Sequence, residues 1–88
     1  MPRESTGSRT SAHARAAYVL ELARGCSYIS STLTPDTRKR AVAEVLGEFR
    51  KLYGDQKLAV FRKLLVEDLQ RRGQRDAASA VVDFKFTG

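Results

Sequence analysis

The 88-residue chain holds one cysteine, Cys26, one histidine, His13, and no tryptophan. A single cysteine excludes a disulfide framework, and a lone histidine beside it excludes a Cys/His zinc cluster. No apolar run approaches the ~20 residues that a membrane-spanning helix needs. The six glycines, at positions 7, 25, 47, 54, 73 and 88, are dispersed, and none is followed by the Lys-Ser/Thr pair of a phosphate-binding loop. Tyr18, Tyr28, Tyr53 and the four phenylalanines fall mostly in apolar stripes, which leaves little for stacking on nucleic-acid bases. Sustained period-two alternation and internal repeats are both missing, so nothing reads as a sheet or an array.

What is present is the composition of one small globular domain. Hydrophobic residues make up 42% and charged residues 30%, too apolar for wholesale disorder. A chain of this length buries only about 60–65% of its unfolded surface, so its core is modest. Sixteen Lys and Arg stand against ten Asp and Glu, a net charge of +6.

Residues 1–11, MPRESTGSRTS, carry no large apolar side chain beyond Met1 and read as a flexible basic tail ahead of a single helical domain over 12–86. Arg3, Arg9 and Arg15 against Glu4 also fit a mitochondrial presequence, although no apolar stripe precedes Ala12; a secretory signal lacks its apolar core segment. The compartment expected is intracellular, cytoplasmic or nuclear, with a mitochondrial location as the alternative.

The first helix begins near Ser11 or Ala12. Ala16, Val19, Leu20 and Ala23 form one apolar stripe, and Leu22, Cys26, Ile29 and Leu33 a second that overlaps it. Gly25 costs about 1 kcal/mol relative to Ala in a helix interior, and Ser27, Ser30, Ser31 and Thr32 compete for backbone hydrogen bonds, so a kink or an early end is expected near Gly25. A second helix opens on Thr34-Pro35-Asp36, which supplies a cap, a first-turn proline and an acid at the positive helix end. Its stripe runs through Val42, Val45, Leu46, Phe49, Leu52 and Tyr53 to a stop at Gly54. The third helix has Asp55 as its N-cap, a stripe of Leu58, Phe61, Leu65 and Leu69, and a stop at Arg71-Arg72-Gly73. Val60 and Leu64 widen its apolar sector. A short fourth helix runs from Arg75 or Asp76 to about Phe84, with Ala77, Ala80, Val81 and Phe84 on one face. Connections this short make consecutive helices antiparallel. The fold expected is therefore all-α: a small antiparallel bundle of three long helices and one short C-terminal helix.

Few side chains suit catalysis. His13 and Cys26 lie thirteen residues apart on one helix, about 20 Å at ~1.5 Å per residue. Glu44 and Glu48 have basic neighbours in Arg40 and Lys51, and Asp68, which falls inside an apolar sector, has Arg72 four residues on; all of these read as ion pairs. No catalytic, metal or cofactor site is expected. Basic residues cluster at Arg38-Lys39-Arg40, Arg50-Lys51, Arg62-Lys63 and Arg71-Arg72 with Arg75, but helical geometry spreads them around the domain. The Gly54-Asp55 connection is the wrong length for the three- to four-residue turn of a helix-turn-helix reader.

Leu64, Leu65, Leu69, Gly73 and Ala78, with their spacing, resemble the LisH motif, a short helical hairpin used for dimerisation, while Val66 or Asp68 and Gln74 stand where that motif has aromatics. The same residues serve any helix–Gly–helix corner. The function expected is a non-enzymatic protein-interaction module, an adaptor, subunit or dimerisation domain, that engages another protein or a second copy through Val60, Leu64 and Arg62. The alternative is a nucleic-acid-binding protein contacting phosphates through Arg38, Lys39, Arg40, Arg50 and Lys51.

Overall fold

The structure, a computed structural model, describes residues 13–30 and 32–86. The basic tail over 1–11 and the start of the first helix at Ser11 or Ala12 lie outside the described residues. All regular structure among the described residues is helical: a helical segment over 13–17, then α1 (Val19–Tyr28), α2 (Pro35–Tyr53), α3 (Asp55–Arg71) and α4 (Arg75–Asp83). This is the small all-α bundle expected, with a shorter α1.

Of the kink or early end expected near Gly25, there is no kink, and the helix ends three residues beyond it at Tyr28. The helix runs through Gly25, which is buried, and breaks seven residues earlier at Tyr18 (φ −111°, ψ 24°). There the Tyr18 ring enters an aromatic cluster edge-on, with centroids 5.0 Å from Phe49 and 5.5 Å from Tyr53. A Cβ on Gly25 would stand 3.0 Å from the Leu65 Cδ1 and 3.4 Å from the Val45 Cγ1, so the missing side chain lets α1 approach both neighbours. The Ser/Thr run ends α1 instead. Beyond Tyr28, Ile29 is extended and fully buried, and the Ser30 hydroxyl takes the Thr32 N–H at 3.1 Å, local bonding that substitutes for another helical turn.

The start of α2 is as expected. Thr34 Oγ1 accepts from the Thr37 N–H, Pro35 occupies the first turn, and Gly54 at φ +92° closes the C-terminus. The N-cap of α3 is that same Gly54. Asp55 is already helical and makes no cap bond; its carboxylate instead accepts from Arg50 Nε at 2.6 Å. Gly73 at φ +78° lets the chain turn from α3 into α4.

Buried residues form one cluster, and α3 is central to it, touching α1, α2 and α4. That position overturns the reading of Leu64 as partner surface. Leu64 is 3% exposed on the helix that α1, α2 and α4 all contact, and the 13–17 segment returns to that helix as well. Arg15 anchors that return. Its guanidinium holds Asp68 and, at 2.9 Å, Glu67, which lie four and three residues beyond Leu64 on the same face. Asp68 therefore pairs with Arg15 and, at 3.3 Å, with Arg71, rather than with Arg72.

Candidate functional site

The α1–α2 seam is built from rows four residues apart, which share one face of a helix. On α1 the row is Leu20, Arg24, Tyr28; on α2, running the opposite way, it is Leu52, Glu48, Glu44. Tyr28 donates its hydroxyl to Glu44 at 2.7 Å, and Arg24 Nη2 donates to Glu48 at 3.0 Å. Continuing that register sets Leu20 opposite Leu52. Two rungs of this ladder are thus bridged by polar side chains, and the third offers two leucines that are 75% and 73% exposed. Glu21, beside Leu20, accepts from the Tyr53 hydroxyl at 2.9 Å.

Between the helices lies a groove of about 890 Å³ whose apolar lining includes Leu20, Leu52, Val45 and Phe49. Its charged lining is Glu21, Glu44 and Glu48 against Arg24 alone, a net of −2 on a chain of +6. The hydrogen bond to Glu44 raises the Tyr28 phenol above its ordinary range, and the one to Glu21 does the same for Tyr53, because both carboxylates favour the protonated donor.

Leu20 and Leu52 did not stand out in the sequence as a site. A signal for Leu20 was there. Two overlapping apolar stripes on one helix cannot both face a small core, and only Leu22, Cys26 and Ile29 are buried, while Ala16, Val19, Leu20 and Ala23 are exposed.

The residues singled out from sequence are dispersed. Val60 is 44% exposed on α3 with Leu64 buried beside it. Arg62 turns toward the chain itself: Nε donates to the Val81 carbonyl at 3.0 Å, and Nη2 to those of Val82 and Phe84, capping the end of α4. Arg38 donates to the carbonyls of Ser30 and Leu33, fastening the loop before α2. Arg50 pairs with Asp55 and lies 4.7 Å over the Phe86 ring. Lys39, Arg40 and Lys51 are exposed. Lys39 lines a smaller hollow of about 410 Å³ beside Asp76 and Asp83. Arg40 and Lys51 share an outward face, but eleven residues separate them, about 16 Å along the axis, with Glu44 between. Glu44 and Glu48 bond across the seam to α1 instead of to Arg40 and Lys51. Arg38, Arg50 and Arg62 are thus engaged within the chain, and Arg40 and Lys51 stand apart along α2.

His13 is exposed and Cys26 is buried, its thiol pushed up by burial, an effect that nearby Asp68 reinforces and Arg72 opposes. Among the described residues no three His, Cys, Asp or Glu side chains gather as a metal site, and no helix is long and apolar enough to cross a membrane. Comparison with protein-family models, curated proteins and solved structures returns no match, so the likeness to LisH stays at the level of a shared helical corner.

Proposed function

We propose that the protein is a non-enzymatic protein-interaction module whose docking point is the open Leu20–Leu52 rung of the α1–α2 groove. The observation that carries this reading is the pair itself: two leucines, each about three-quarters exposed, set opposite one another over an apolar lining that includes Val45 and Phe49. Fully burying a leucine is worth roughly 1.5–3 kcal/mol, so a partner that covers both gains what the fold leaves unused. The surface differs from the one expected on α3, since Leu64 is interior and Arg62 serves the end of α4. The side chains suited to nucleophile or base chemistry do not meet: Cys26 is enclosed and His13 faces solvent.

The test is site-specific photo-crosslinking in cells expressing the chain, with a photoreactive residue at 20, at 52 or, as the control, at Val82, which is 57% exposed on α4. A discrete adduct at 20 and 52 with none at 82 is expected. Equal labelling at all three positions, or none at 20 and 52, sinks the reading.

A further inference from the structure

Resting on that reading, we infer that the groove receives a short basic amphipathic helix of another protein, with an apolar side chain entering between Leu20 and Leu52 and Lys or Arg side chains lying on Glu21, Glu44 and Glu48. The charge distribution points this way. Most of the chain repels cations, since it carries +6 overall, yet this groove carries three carboxylates and one guanidinium. Two of those carboxylates, Glu21 and Glu44, accept from tyrosine hydroxyls, neutral donors that hold the carboxylate in place without cancelling its charge or filling its lone pairs. The third is paired with Arg24, whose side chain is 78% exposed. An exposed pair of this kind is worth only tenths of a kcal/mol and exchanges readily for another cation.

Size selects the secondary structure of the occupant. From residue 20 to 28 on one wall and 44 to 52 on the other the groove spans about 12 Å, two turns of helix, which presents apolar residues at steps of three and four. A second copy of this chain fits poorly. Val60, exposed on α3, lies between Lys57 and Lys63, its apolar neighbour one turn on, Leu64, is buried, and two chains of +6 repel. Residues 1–12 contain Arg3 and Arg9 but no large apolar residue beyond Met1 to meet the leucines.

Two synthetic helical peptides with one apolar pattern, flanked in one by Lys and Arg and in the other by Glu, separate the outcomes when titrated into the full chain and followed by amide resonances. The net charge of the chain favours the acidic peptide everywhere except in the groove, so a preference for the basic one reports the groove alone. The basic peptide is expected to bind at least about ten-fold more tightly at 50 mM salt, to shift resonances within 20–28 and 44–52, and to lose most of that advantage at 500 mM. Arg24→Gln should tighten it a further ~2–5-fold, and Glu44→Gln with Glu48→Gln should weaken it by a similar or larger factor. Equal or tighter binding of the acidic peptide overturns the inference and leaves the interaction reading standing. Binding of neither peptide also overturns it, and the cross-link at 20 and 52, which is indifferent to charge, then decides whether the interaction reading falls as well. A homodimer in sedimentation that Leu52→Glu dissolves overturns it in favour of a second copy.

Discussion

Two glycines inside helices, Gly25 and Gly47, look alike in sequence and differ in what surrounds them. Apart from its chain neighbours and the backbone of its own helix, a Cβ built on Gly47 meets nothing within 4 Å, whereas the same atom on Gly25 meets Leu65 at 3.0 Å and Val45 at 3.4 Å. An interior helical glycine costs roughly 0.5–1 kcal/mol relative to alanine. Gly47→Ala should therefore raise stability by about that amount and lift the melting temperature by a few degrees. Gly25→Ala should lie at least about 1 kcal/mol below it, because the fully buried Leu65, whose Cδ1 the new methyl would meet at 3.0 Å, must shift within the core to admit it. Paired thermal melts decide the matter; equal stabilisation by both would show that α1 does not need its close approach. The distinction was invisible in the sequence. Propensity is local to one helix, but the reason for Gly25 sits forty residues away on another.

Helix boundaries were legible where their chemistry is local. Thr34-Pro35-Asp36 and Gly54 act within one turn, and the structure keeps all four roles. The break at Tyr18 was not legible, because it accompanies rings on α2 and α3. The C-terminal end of α4 is a similar case: Asp83 is followed by extended Phe84, and the last carbonyls are satisfied by Arg62 from α3. Arg62→Met keeps the aliphatic stem and removes these donors. It should cost about 1–3 kcal/mol, since the bonds are charge-assisted and leave partly buried acceptors unpaired. The segment 84–86 should also come loose, so tryptic cleavage after exposed Lys85 should accelerate relative to cleavage after Lys39 in the same digest. An unchanged melt together with an unchanged ratio of cleavage rates would show that Arg62 is not what holds this end. Sequence reading assigned Arg62 to a partner because a basic residue bordering an apolar stripe looks the same whether it faces another protein or a neighbouring helix end.

For the whole molecule, the class of fold was readable because four apolar stripes of helical period and very short connections admit few arrangements. The candidate site was not, because it depends on the antiparallel register of α1 against α2, which pairs residues far apart in the chain, Tyr28 with Glu44 and Arg24 with Glu48. A residue such as Leu52 satisfies the core-stripe pattern of its own helix and still ends 73% exposed once α1 takes its place. Charge behaves likewise: +6 summed over the chain conceals a groove of opposite sign. Cys26 turns the placement of α1 into something that can be timed. It is the chain's sole thiol, it lies on α1, and it is 7% exposed, so a thiol reagent reaches it only when α1 lifts. Every ~1.4 kcal/mol needed for lifting slows labelling ten-fold relative to the unfolded chain. Tyr28→Phe, which unties one polar rung, should quicken the reaction, and an occupant bridging α1 and α2 should slow it. A labelling rate that ignores both would mean that the thiol is reached by some route other than the lifting of α1.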